Sequence, residues 1–232
     1  MIGMFDSGIG GLTILDVLKE VLPKEDYLYY ADSKNNPYGE KNDDELFLIC
    51  SNICDYLIEH NCKIIVIACN TATTRCMKKL REKYPNMIFV GTVPAIKVAS
   101  DNNYKNTLVM ATPGTIESER THELVRDNKR DDQNIYLVPC EGLANAIEKG
   151  DNNKIDEIID KIYEEYKDKN IDSIVLGCTH YPLISDKIFN KFNCQLLDGN
   201  LGVSNEVKRQ LEAHNLLSEE GTGKVTFYKT GD

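Results

Sequence analysis

The sequence predicts an α/β fold of two pseudo-symmetric α/β domains with mostly parallel sheets and an active site in the cleft between them. Two observations carry this. Short apolar runs alternate with amphipathic helical stretches from end to end, and one such run, with the polar residues after it, recurs 109 residues later. Alternation of strand and helix favours a parallel sheet covered by helices on both faces. The recurrence says that the unit occurs twice.

The strand candidates are residues 1–5, 27–31, 63–68, 88–93, 107–111, 135–139, 173–177 and 194–197, with a late run at 225–228. Each is short, apolar and bounded by turn-forming or helix-opening residues. The helical stretches are 12–21, 44–60, 73–84, 116–128, 153–167 and 204–215, where apolar residues recur at helical spacing. Asn102-Asn103 and Asp151-Asn152-Asn153 read as polar turns.

The repeat aligns Ile65-Val66-Ile67-Ala68-Cys69-Asn70-Thr71 with Ile174-Val175-Leu176-Gly177-Cys178-Thr179-His180. Each copy is an apolar strand, a small residue, a cysteine, then polar residues. A second echo pairs Asp6-Ser7-Gly8, after the first strand, with Thr112-Pro113-Gly114-Thr115, after the fifth. The boundary between halves falls near 93–100. The expected domains are residues 1–95 plus 205–232, and residues 96–204. The tail returns to the first half because its last strand lacks a counterpart in the second.

With 232 residues the chain can bury a sizeable core, and its net charge of −10 disfavours nucleic acid or an anionic membrane as partners. No run is long enough to span a bilayer, and the start lacks a basic segment followed by an apolar one. A cytoplasmic location is the expectation. The eight cysteines, at 50, 54, 62, 69, 76, 140, 178 and 194, are expected as free thiols, mostly packed as small hydrophobes. Cys50 and Cys54 share a helix face, but no second pair follows at zinc-site spacing, so no metal is expected.

Open parallel sheets bind ligands beyond the carboxyl ends of their strands. Cys69 and Cys178 both stand there, before polar residues suited to opening a helix, which would lower a thiol's pKa. One such cysteine is ordinarily an inert packed thiol. Two at matched places in matched halves suit proton removal from one face of a carbon and delivery to the other. Asp6 ends its strand as Cys69 follows its own. The glycines of Asp6-Ser7-Gly8-Ile9-Gly10-Gly11 fit either a plain strand-to-helix turn or N–H groups aimed at a carboxylate or phosphate. The loop Ala31–Glu40 is either plain surface or a source of the Tyr38 hydroxyl and the Gly39 amide for a ligand. His180 is the one histidine beside a candidate cysteine; His60, His122 and His214 fall on helical patterns as surface residues. Glu148 follows an apolar stretch and reads, on pattern alone, as a solvated helix-end carboxylate.

Together, Asp6-Ser7-Gly8-Ile9-Gly10-Gly11, Pro37-Tyr38-Gly39, Ala68-Cys69-Asn70-Thr71-Ala72-Thr73, Val93-Pro94-Ala95-Ile96 and Leu176-Gly177-Cys178-Thr179-His180-Tyr181-Pro182 resemble the glutamate racemases of the aspartate/glutamate racemase superfamily. They run in family order to about residue 182, and Thr230-Gly231-Asp232 resembles a late motif. The resemblance implies a cofactor-free, pyridoxal-independent two-base reaction on glutamate, with Cys69 and Cys178 exchanging the α-proton. It implies that Asp6 assists Cys69, and that His180 and Glu148 assist Cys178. Asp6, Ser7, Pro37, Tyr38, Gly39, Asn70, Thr71, Thr112, Thr115, Thr179 and His180 would hold the substrate. It also implies a homodimer that supplies D-glutamate for peptidoglycan. The chain departs from the family pattern at 139–144, at Asn35-Asn36, and in stopping at Asp232. Those departures keep two alternatives in view: a racemase of aspartate or another amino acid, and a catalytically silent homologue that binds an acidic amino acid.

Overall fold

The computed structural model describes residues 1–231; Asp232 of the late motif lies outside the described residues. In chain order the elements are β1 (Ile2–Asp6), α1 (Leu12–Val21), β2 (Tyr27–Ala31), α2 (Asp43–Glu59), β3 (Ile64–Ile67), α3 (Asn70–Lys83), β4 (Phe89–Gly91), α4 (Ile96–Asp101), β5 (Asn106–Ala111), α5 (Pro113–Ile116), α6 (Glu119–Asn128), β6 (Asn134–Pro139), α7 (Leu143–Lys149), α8 (Asn152–Tyr166), β7 (Ser173–Leu176), α9 (Ser185–Phe192), β8 (Gln195–Leu197), α10 (Asn200–Ala213) and β9 (Val225–Lys229).

Among the described residues the strands form two all-parallel sheets, ordered β4-β3-β1-β2-β9 and β6-β5-β7-β8. Reading the second in reverse gives β8-β7-β5-β6, which matches β4-β3-β1-β2 strand for strand. The predicted pseudo-symmetric two-domain α/β fold is therefore the observed one. Cys69 follows β3 and Cys178 follows β7, so the two thiols occupy equivalent strand ends.

Burial explains why the central strands are uninterrupted apolar runs. Every residue of β1, β3 and β7 is buried, because helices cover both faces. In the first half, Ile14, Leu15 and Leu18 of α1 pack with Val207 and Leu211 of α10 on one face. Leu46, Ile53 and Leu57 of α2 pack with Cys76 and Leu80 of α3 on the other. In the second half, α7, α8 and α9 supply Leu143, Ile155, Ile159 and Ile188 to one face, and α4 and α6 supply Ile96, Ala99 and Leu124 to the other.

Several helix bounds differ from the sequence reading, each for a local reason. The single helix expected over 116–128 is broken at Ser118, which is extended (φ −64°, ψ 139°) and uses its side chain to cap Thr121 N–H. A buried serine hydroxyl competes with the helix ladder for backbone groups. The helix expected at 73 starts at Asn70, directly after Cys69. Asp151 caps α8, so Asn152 and Asn153 belong to its first turn rather than to a loop. Helices α4 and α9 were not expected; their six and eight residues are too few for a helical period to stand out.

The tail packs on the first half. Strand β9 pairs with β2, and Phe227 stacks on Tyr29 with ring centroids 5.5 Å apart. Glu25, 1% exposed, accepts from Lys63 Nζ at 2.8 Å, from Ser218 N–H at 2.8 Å and from the Ser218 hydroxyl at 3.0 Å. This joins the connection before β9 to the foot of β3. Replacing Glu25 with alanine removes the anionic partner of Lys63, whose ammonium keeps Leu216 O and the Ser218 hydroxyl, and the expected loss is about 1–3 kcal/mol of unfolding free energy by urea titration.

Candidate active site

The carboxyl ends of β1, β3, β5 and β7 meet at a small closed cavity of about 20 Å³. Both Cys69 and Cys178 line it, one from each half. Ser7, Pro37, Tyr38, Gly39, Asn70 and Thr71 complete the first side; Thr112, Thr179 and His180 complete the second. Asn36 and Ala144 also line it and were not singled out from sequence. A larger hollow of about 530 Å³ opens nearby, bordered by Gly39, Arg75 and Gly114, but it contains neither thiol.

Three of the sequence candidates stand behind this lining. Asp6 is fully buried and accepts from Gly11 N–H at 2.9 Å. The Thr179 hydroxyl of the other half lies 3.4 Å from both its oxygens. Thr115 joins Thr71 and Thr112 in a ring of three hydroxyls spaced 2.8, 3.1 and 3.0 Å apart. Glu148 lies behind His180, accepting at 2.6 Å from Nε2, while Nδ1 of the same ring is 3.9 Å from Cys178 Sγ. Glu148 also accepts from Ile9 N–H at 3.3 Å and from the Ser33 hydroxyl at 3.5 Å. It is thus a connection between halves, not the solvated helix-end carboxylate that its pattern suggested.

The glycine turn after β1 is built for close approach. A side chain at Gly8 would fall 2.5 Å from Glu148 Oε2, and one at Gly10 would fall 2.7 Å from His180 Nδ1. The Gly11 amide serves Asp6 and the Ile9 amide serves Glu148, so these N–H groups hold protein carboxylates. The Tyr38 hydroxyl is likewise engaged. It donates to Asp32 Oδ2 at 2.8 Å, so its proton is already committed within the protein. Asn70 Oδ1, by contrast, is buried with no protein partner. Leaving such an acceptor unmatched costs about 1–3 kcal/mol, which a ligand donor would recover.

The electrostatics of the two thiols differ. Burial, then the facing Asp6 carboxylate, pushes Cys69 well above the usual thiol range; the Ala72 N–H at the start of α3 opposes this and is outweighed. The helix-terminus lowering expected from sequence is therefore overridden at Cys69. Cys178 opens onto a single 3-10 turn, Tyr181–Ile184, rather than an α-helix. Beside it, burial lowers His180, but the bonds to Cys178 and Glu148 prevail and hold the imidazole well above its usual pKa. Burial raises Glu148, and the bond to His180 wins, holding it below the usual carboxylate range. The eight cysteines are free and buried, and no metal-holding cluster of His, Cys, Asp or Glu occurs among the described residues. No helix among them is long and apolar enough to cross a membrane.

Comparison with known proteins gives a consistent picture. The Asp/Glu/Hydantoin racemase family matches residues 17–202. A glutamate racemase of Clostridium botulinum (strain Alaska E43 / Type E3) is 38% identical over 97% of this chain and 90% of its own length. The crystal structure of a glutamate racemase from Francisella tularensis in complex with D-glutamate superposes with a TM-score of 0.87 at 30% identity, over 100% of this chain and 88% of that one. That of Escherichia coli, in complex with L-glutamate and the activator UDP-MurNAc-Ala, gives 0.85 at 27% identity, over 99% and 89%.

The Glu148–His180 pair makes stability depend on pH in a defined sense. His180, raised, contributes fully below about 6.5 and loses its contribution as pH climbs through its folded-state value. Glu148, lowered, contributes above about 4.5 and loses its share as pH falls through its folded-state value. Glu148→Gln is expected to destabilise by about 1–3 kcal/mol between those limits, with the gap to wild type closing in strong acid and again at alkaline pH, as read by denaturant melts across pH.

Proposed function

The chain belongs to the Asp/Glu/Hydantoin racemase family, and we propose that it interconverts L- and D-glutamate by passing the α-proton between Cys69 and Cys178. One observation carries the reading: equivalent thiols from two pseudo-symmetric halves line a single closed cavity. A substrate α-carbon between them would present opposite faces to the two sulfurs.

The chemistry follows from the asymmetry of their surroundings. Cys69, beside a carboxylate and fully desolvated, rests as the thiol and is ready to give a proton. His180, holding its own proton, sets a positive charge next to Cys178, where a thiolate takes the α-proton. The α-carbon lone pair then captures the proton of Cys69 on the opposite face. The product is the other enantiomer, with Cys178 as thiol and Cys69 as thiolate, and the reverse reaction starts from that state. Burial supports the step, because a dry cavity strengthens every donor aimed at the developing charge.

Neutral groups are placed to hold the substrate. Asn70 Oδ1 suits the ammonium, and the hydroxyls of Thr71, Thr112, Thr115 and Thr179, with Ser7 and Gly39, suit the carboxylates. A cavity of about 20 Å³ holds roughly one water, so glutamate is admitted by parting the halves. The same reading divides the chain into residues 1–95 plus 205–232 and residues 96–204, supported by the return of β9 to the first sheet. It also implies a homodimer in a bacterial cytoplasm supplying D-glutamate for peptidoglycan. A second reading, aspartate or another amino acid as substrate, is kept because Ala144, in the segment that departs from the family pattern, lines the cavity. Best turnover on glutamate in a panel read by chiral chromatography removes it.

In heavy water, both enantiomers of glutamate should acquire deuterium at the α-carbon. Cys69→Ser and Cys178→Ser should each lower racemisation by about a thousandfold or more, because the two thiols act as a unit. Absence of exchange with folded wild-type protein defeats the glutamate reading. Full activity in either variant defeats the two-thiol mechanism.

A further inference from the structure

The Thr230-Gly231 motif takes no part in the proton transfer, yet it closes over the loop that carries Tyr38 and Gly39. We propose that Thr230 is a positioning residue, a clip that holds this substrate-binding loop in place through Asp32 and the Lys34 amide. The kinetic part of this proposal rests on the racemase reading above; the structural part stands without it.

Thr230 lies one residue beyond β9, and its N–H continues the ladder by donating to Ala31 O at 3.0 Å. Its hydroxyl donates to Asp32 Oδ1 at 2.8 Å and accepts from Lys34 N–H at 3.1 Å. One side chain thus satisfies groups on both sides of the turn at Ser33. The residue after it, Gly231, has φ +91°, and a Cβ there would touch Lys34 backbone and side chain at 3.4 Å. Glycine lets the chain lie flat across the loop in a conformation other residues rarely adopt.

Asp32 makes this contact consequential. It is 1% exposed, and a buried carboxylate is tolerated when its lone pairs are met. Asn35 Nδ2 donates to both oxygens, at 3.0 and 2.9 Å, and the Tyr38 hydroxyl donates to Oδ2. Thr230 is the partner that comes from outside the loop. Without its hydroxyl, the Asp32 carboxylate is left, among the described residues, with the partners its own loop supplies. Downstream, Tyr38 and Gly39 line the cavity. The thiols, in contrast, follow β3 and β7, which the clip does not touch, and the Asp6 carboxylate is held by Gly11 and Thr179 rather than by the loop. A slack loop therefore weakens substrate binding and leaves proton transfer in the bound complex largely alone.

The test compares Thr230→Val, which keeps shape and removes the hydroxyl, with Thr230→Ser, which keeps the hydroxyl. Thr230→Val is expected to raise KM for glutamate about tenfold with kcat within about twofold, and Thr230→Ser to restore KM. Hydrogen–deuterium exchange supplies a readout free of turnover: residues 33–39 should exchange about tenfold faster in the valine variant and at the wild-type rate in the serine variant. Should wild-type protein not turn over glutamate, the functional reading falls and the exchange data alone decide the clip. Unchanged KM together with unchanged exchange overturns the proposal. So does faster exchange spread evenly over the whole chain, which marks loss of stability rather than a loosened loop.

Discussion

The short contact between Glu148 and His180 constrains the rest of the site. An imidazole that is 1% exposed keeps a proton only if an anion faces it, and Glu148 is that anion at 2.6 Å. Glu148 cannot be left half-bonded in a poorly solvated place, so its oxygens also take the Ile9 amide and the Ser33 hydroxyl. Those donors belong to the first half of the molecule. The pair that charges His180 lies within the second half, and the remaining bonds of its carboxylate come from the first. The glycine turn follows from the same need, because a side chain at Gly8 would occupy the space of the carboxylate.

Pseudo-symmetry places the thiols alike, and their surroundings then make them unlike. At Cys69 the neighbour is a carboxylate, shared across the interface with Thr179; at Cys178 it is an imidazole backed by a carboxylate. Unlike surroundings suit the proposed exchange, because moving one proton across a carbon needs one acid and one base. The difference arises from what each half leaves unfilled at its strand end. In the first half Asp6 occupies the end of β1. The equivalent position on β5 is Ala111, which carries no charge, and the negative charge on that side comes from α7 instead.

Much of this was legible in the sequence. Central strands buried on both faces must be apolar throughout, and so the runs at 27–31 and 12–21 gave strand and helix bounds that coincide with the observed ones. Cys69, Cys178 and His180 were legible because strand ends and a repeat pointed to them. Glu148 resembled a solvated helix end because its partner lies 32 residues away, and no local pattern records a tertiary bond. The engagement of the Tyr38 hydroxyl was hidden for the same reason, since the Asp32 carboxylate that holds it reads as one more loop acid. The glycines showed that the backbone was unusual there without showing what approached it.

No Lys or Arg lines the cavity wall among the described residues, which suits the proposed use of thiols as bases. A fixed cation beside the substrate would bind an acidic amino acid well. In a desolvated cavity a permanent cation beside both sulfurs would also stabilise either thiolate and remove the difference between them that the proposed exchange uses. Neutral hydroxyls avoid this. In the ring formed by Thr71, Thr112 and Thr115 each can donate or accept, so the ring satisfies itself when closed and can turn its protons toward a carboxylate when one arrives. The positive charge is kept on His180, one residue beyond Thr179, where Glu148 of the same half faces it. In the proposed mechanism binding is left to neutral groups, and the one positive charge beside a sulfur is carried by His180 and balanced by Glu148.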